Sequence, residues 1–213
     1  MKQIIIVFIA LISAFIISCG QKTQSNKADN SSHTMHSPAS SEIIYLMHAP
    51  MMEQDFQKTE NIDEDFLVNM IPHHKGAILS SKKLLETTKN EKLIELANNI
   101  IMEQEKEVDE FTQLADELKN KAVMYAEEDT AALGNEMQLI MNKMMDDMSA
   151  IKTAGDNDID FLKGMIAHHQ AAVDSSKKIL EHTKDEKIKE IANRIISSQE
   201  KEIAYMNNMI NSL

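Results

Sequence analysis

The residues with chemistry to offer gather in two stretches of this chain. NMIPHHKGAILSSKKLLE (69–86) and GMIAHHQAAVDSSKKILE (164–181) each carry adjacent histidines, His73/His74 and His168/His169, inside otherwise helical apolar spacing. Met70 and Met165 stand three residues before the pairs, one turn away on the same helical face. Imidazole nitrogen combined with thioether sulfur suits copper, above all Cu(I), with silver as its soft analogue. Cys19 is the only cysteine, so neither a disulfide nor a thiolate cage is available within the chain. Zinc or iron would ask for more carboxylate. Di-iron bundles use a Glu-x-x-His motif that this chain lacks. No Ser/His/Asp set, phosphate loop or nucleophilic Cys presents itself, so the residues indicate binding rather than catalysis. Two other readings stand beside this one. The first is a structural or interaction bundle whose polar layer only fixes register. The second, ranked last, is a metal-dependent oxidase.

The elements that must position these side chains repeat. A constant offset aligns Asp65–Glu107 with Asp160–Glu202 without a gap, and 27 of the 43 aligned positions are identical. Each copy reads as helix, short polar turn, helix, with turns at TTKNE (87–91) and HTKDE (182–186). Thr88 with Glu91, and Thr183 with Glu186, have capping-box spacing, while Asn90 and Asp185 are rival N-caps. In the first helix of each copy the His-His pair occupies one step of a buried apolar ladder. Counting outward from the turn at about 1.5 Å per residue, His73 and Gln104 both lie roughly 24 Å from it and share a layer. Glu107 lies one turn beyond. Gln199 and Glu202 stand in the same relation to His168 and His169. These four are the expected outer partners of the histidines, because an imidazole buried without a partner costs several kcal/mol. Neighbouring helical residues point about 100° apart. One histidine of each pair can therefore face its own hairpin while the other turns to the opposite hairpin or to a Met-rich segment. Two hairpins supply the four long helices of a bundle. Whether they turn at the same end or at opposite ends decides between one shared centre and two, and both arrangements stay open.

Sixteen methionines are well above ordinary usage. Many fall in YLMHAPMMEQ (45–54) and EMQLIMNKMMDDMSA (136–150), the segments that precede the two hairpins and are expected to form accessory helices. Met47, His48 and Met51 are candidate ligands in the first, although Pro50 must begin or kink a helix there. Met144 and Met148 are candidates in the second, where Met141, Met144, Met145 and Met148 make one helical stripe. The plainer account of such stripes is adaptable packing.

Ile4–Ile17 is an apolar run too short for a membrane span, which needs about 20 residues, but suited to a signal-peptide core. It ends in IISCG, like a lipobox. We expect a signal peptide over 1–18, lipidation of Cys19, and a polar tether over 19–42. HTMH (33–36) within that tether could capture metal loosely. Residues 43–213 are the expected helical domain, with repeat units of about 43–118 and 134–213. The formal net charge of -12 argues against nucleic acid. The expected place is the cell envelope, anchored by lipid and facing the periplasm or the exterior, with a copper efflux or chaperone protein as a partner.

DFLVNMIPHHKGAI and DFLKGMIAHHQAAV, followed by LANNIIMEQEKEV and IANRIISSQEKEIAYM, resemble the domain-of-unknown-function 305 family over essentially all of the chain from Ile43. The resemblance implies an all-α, ferritin-like four-helix bundle built from the two duplicated hairpins, with the Met-rich segments as accessory helices. It also implies an exported copper-binding protein connected with metal tolerance. Carried over by residue, it implicates Met70, His73, His74, Met165, His168 and His169, with Gln104/Glu107 and Gln199/Glu202 behind them. The family's methionine after the Gln-x-x-Glu element falls at Met206, where the first copy has Phe111. The resemblance therefore implies tighter Cu(I) binding in the second copy.

Overall fold

The structure is a computed structural model, and it describes residues 42–59, 61–119, 121 and 125–212. The expected signal peptide, Cys19 and HTMH lie outside the described residues, as does all but the last residue of the expected tether. Among the described residues there are six helices and no strand: α1 (Glu42–Met52), α2 (Ile62–Leu85), α3 (Glu91–Leu118), α4 (Glu127–Ser149), α5 (Asn157–Leu180) and α6 (Glu186–Ile210). The chain is an all-α bundle. No helix among the described residues is long and apolar enough to cross a membrane.

Polar caps begin the four long bundle helices. Asn61 Oδ1 accepts from the amides of Asp63 and Glu64, and Asp156 Oδ1 from those of Asp158 and Ile159. Asn90 and Asp185 cap α3 and α6, so the capping-box pairing of Thr88 and Thr183 does not form. Those threonine hydroxyls instead accept the amides of Asn90 and Asp185, and Glu91 and Glu186 become the first helical residues. α4 begins nine residues before the Met-rich segment that marked it, at an acidic first turn with no side-chain cap.

α2 pairs with α3 and α5 with α6 as antiparallel hairpins. Repeated cross-hairpin pairs, Lys82–Glu105 and Lys177–Glu200, each at 2.7 Å, mark the shared register. α2 and α5 lie against each other at the centre and run antiparallel. Asn157 at the start of α5 donates to Thr87 after the end of α2, and Thr183 after α5 donates to Asp63 at the start of α2. The two hairpins therefore turn at opposite ends of the bundle, related by an approximate two-fold axis through its middle. α1 packs on α2 and α5, and α4 packs on α5 and α2.

The apolar core divides accordingly. One cluster gathers Met47, Leu84, Leu93, Ile100, Phe161 and Met206 at one end. The other gathers Phe66, Phe111, Leu133, Ile179, Ile188 and Ile195 at the opposite end. The histidines lie between them. Asp65 and Asp160 each take a backbone amide six residues upstream, from Thr59 and Ala154, and so seat the incoming loop on each hairpin.

Candidate metal centre

His73 and His168 occupy the midpoints of two antiparallel 24-residue helices, the one level where the two-fold brings equivalent residues together. Their rings stack with centroids 3.7 Å apart and planes inclined by 30°. His73 Nε2 lies 3.0 Å from the carbonyl oxygen of His168. Because a carbonyl only accepts, Nε2 carries the proton and Nδ1 the bare lone pair. The second histidine of each pair turns to its own hairpin. His74 Nε2 donates to Glu107 at 2.8 Å, and His169 Nε2 to Glu202 at 2.7 Å. An ionised carboxylate is likewise only an acceptor, so Nε2 carries a proton in both.

All four rings are buried, none more than 1% exposed. Their Nδ1 atoms have no hydrogen-bond partner, and neither does Nε2 of His168. Gln104 and Gln199, level with the histidines, keep unpartnered Oε1 atoms, and Ser81 and Ser176 keep unpartnered hydroxyls. Apart from Nε2 of His168, these orphans occur in matched pairs across the two-fold. Buried polar atoms left unpaired cost about 1–3 kcal/mol each, so such a set calls for a reason.

Burial, reinforced by the neighbouring imidazoles, pushes His73 and His168 well below the ordinary histidine range, so both rings are neutral and keep their lone pairs. Burial alone would raise Glu107, but the bond and charge of His74 together with Arg194 outweigh it and hold the carboxyl low. Burial also lowers His48, opposed by the backbone of Ile44.

The methionines separate into distinct places. Met47, Met165 and Met206 are fully buried in one apolar cluster, on the side of His168 and His169. Gly164 makes room for Met47, whose Sδ would stand 2.8 Å from a Cβ at that position. His48 and Met51 are partly buried. Met70 lies in the opposite cluster. Met144 and Met148 are buried in the cluster that holds Met47 and Met165. Met137 and Met141 instead line a small cavity with His73 and Met70. These two are not among the candidate ligands that the sequence marks. The signal was the i, i+4, i+7, i+11 run Met137, Met141, Met144, Met148, but nothing in that spacing says which members reach the histidine level. In the first hairpin His74 meets the Phe111 ring at 5.2 Å; the corresponding residue of the second hairpin is Met206. Among the described residues no three His, Cys, Asp or Glu side chains converge as a cage. A centre built from this layer therefore takes thioethers as well.

The chain matches the sequence signature of a domain of unknown function, DUF305, over residues 9–115 and 63–210. It is 46% identical over 54 residues to "Uncharacterized protein L153" of Acanthamoeba polyphaga mimivirus, a match taking in 25% of this chain and only 36% of that protein's length. Three solved structures of CopM share its fold, each with a TM-score of 0.54. The Ag-bound form is 27% identical and matches over 72% of this chain and 98% of that one. The Cu(I)-bound form is 28% identical, over 70% and 96%. The Cu(II)-bound form is 26% identical, over 70% and 97%.

Proposed function

On the premise that the chain belongs to the DUF305 family, we propose that it is a copper-binding protein that holds copper, and silver in its place, between the histidine layer and the flanking methionines. The observation that carries this reading is the set of four buried Nδ1 atoms that have no hydrogen-bond partner. A cation is the partner that would satisfy them, directly at His73 and His168, which burial keeps neutral. Glu107 and Glu202 behind His74 and His169 supply the outer carboxylate that fixes the ring and raises its basicity. Thioethers beside neutral imidazoles favour a soft monovalent ion. The metal-bound forms of CopM, which share this bundle, support the same reading.

The finer parts of the proposal rest on the sequence. The lipobox-like IISCG and the apolar run before it support a bundle held by lipid on the outer side of a membrane. There it sequesters copper or passes it to an efflux or chaperone partner, and so contributes to tolerance. Its role is binding rather than catalysis. Competitive Cu(I) titration of residues 20–213, beside a variant with His73, His74, His168 and His169 all changed to Ala, tests the assignment. The expected result is loss of tight binding in the variant. Equal binding by both proteins would sink the assignment of the four histidines as ligands.

A further inference from the structure

The two accessory helices are equivalent, and the difference between them leaves a space. Glu42 of α1 pairs with Lys83 at 3.1 Å, and Glu136 of α4 pairs with Lys178 at 3.3 Å. These contacts make Met47 and Met141 structural counterparts, at an offset one residue shorter than that of the hairpins. α1 lies tight on α2 because Gly76 admits it: a Cβ there would stand 1.8 Å from the carbonyl oxygen of Met47. The counterpart of Gly76 is Ala171, so the α5 side has no glycine at the equivalent position. On the His168 side the thioether of Met47 fills the room over Gly164. The counterpart of Gly164 is Asn69, and its carboxamide is committed elsewhere, to the backbone of Gln57 at 2.9 and 2.8 Å and to the Asp65 carbonyl.

What is left on the His73 side is a cavity of about 20 Å³ lined by Met70, Met137, Met141 and His73. That is room for one water-sized particle. Phe56 and Met141 also border a second space of about 40 Å³, which runs outward past Met51 and Asp55. Phe56 is held at this mouth by the Gln57–Asn69 bonds beside it. His73 lines the cavity, and its Nδ1 is the nitrogen that its bond to His168 leaves bare.

We infer that Met70, Met137, Met141 and Nδ1 of His73 form a soft-metal site of their own for a monovalent ion such as Cu(I) or Ag(I), reached from solvent beneath Phe56 and Met51. Three thioethers and one neutral imidazole make a donor set that satisfies a soft ion without water or carboxylate. This inference rests on the reading of the bundle as a metal-binding protein, but concerns a different face of it from Met47, Met165 and Met206.

Silver nitrate titrated into the full chain, followed by NMR of methyl-labelled methionines and of the histidine rings, tests it. The expected result is that the methyls of Met70, Met137 and Met141 shift together with the His73 ring. In Met137→Leu/Met141→Leu, which keeps shape and loses sulfur, the chain takes up one ion fewer. Phe56→Ala, which unroofs the mouth, speeds loading of the same three methyls. If those methyls stay still while Met165, Met206 and His169 respond, this site is overturned and the metal-binding reading stands. If no methionine or histidine responds, both fall. A double variant that unfolds leaves the wild-type methyl shifts to decide.

Discussion

Arg194 on α6 donates from Nε to Glu107 on α3 at 3.1 Å and from Nη2 to Glu110 at 2.5 Å, whereas the residue that corresponds to it in the first hairpin is Asn99. The two hairpins thus share a His–Glu pair but only one has an arginine clamp, and that clamp ties it to the other hairpin. Arg194→Ala should cost about 1 kcal/mol in urea unfolding, the scale of a charge-assisted bond discounted for a side chain 37% exposed. It should also raise the Glu107 carboxyl. An unchanged midpoint together with an unchanged Glu107 titration would show that the clamp contributes nothing.

The crossing of α1 over α2 should tolerate no side chain at Gly76. In an open helix Gly→Ala gains up to about 1 kcal/mol. Here the added Cβ meets backbone, the Met47 oxygen at 1.8 Å and its carbonyl carbon at 2.7 Å. Gly76→Ala should therefore destabilise by about 3 kcal/mol or more as α1 is pushed away. Gly164→Ala meets the movable end of Met47 and should cost less. Denaturant unfolding of the two variants ranks them, and Gly164→Ala proving the worse would refute this account of the packing.

Metal-free protein should lose stability as pH falls below about 6.5. Burial holds His73 and His168 well under that ordinary histidine value. The unfolded chain then binds protons there that the native state refuses, and stability drops as pH decreases. Each histidine can contribute a slope of up to about 1.4 kcal/mol per pH unit. Asp65 acts in the opposite sense. Burial pushes its carboxyl from 3.8 up to about 6, against its bonds to Thr59. The native state keeps that proton where the unfolded chain releases it, so Asp65 restores stability as pH falls from about 6 toward 4. Melting temperature should fall as pH drops below about 6.5, and the fall should become shallower below about 6, where Asp65 offsets up to half of the two-histidine slope. His73→Ala/His168→Ala should remove the fall, and Asp65→Asn should steepen it below pH 6. A wild-type curve level from pH 7.5 to 5 would contradict both.

Glu202→Gln and Glu107→Gln should each weaken Cu(I) binding about tenfold, since the carboxylate behind a ligating imidazole fixes its ring and tautomer. Glu202→Gln should act without touching another ion pair of the bundle, while Glu107→Gln also loosens Arg194. Competition titration of both variants gives the values. Affinities equal to wild type would mean that neither His74 nor His169 is a ligand.

Much of this protein follows from local rules acting on its sequence. The gapless repeat, the helical period and the short polar turns require two hairpins. A rise of about 1.5 Å per residue on either side of a turn sets His74 near Glu107 and His169 near Glu202, because partners in one hairpin are tied by a few residues of chain. The choice of Asn90 and Asp185 over the threonines as caps was already ambiguous in the sequence, since both can accept an amide and only the backbone's turn decides which is in reach. The stack of His73 on His168 is of another kind. It depends on the hairpins lying antiparallel, fixed by Thr183 on Asp63, Tyr125 on Asp63 and Asn157 on Thr87, contacts between residues far apart in the chain. The same holds for the methionines. A helical stripe says which of Met137, Met141, Met144 and Met148 share a face, but their level along α2 and α5 is set by where α4 packs, which places Met137 and Met141 by His73 and Met144 and Met148 in the cluster with Met47. Sequence alone determined the donors and their hairpin partners, because those follow from spacing along one chain segment. Only the tertiary structure decided which donors meet across hairpins, because that follows from side-chain volume where separate helices touch.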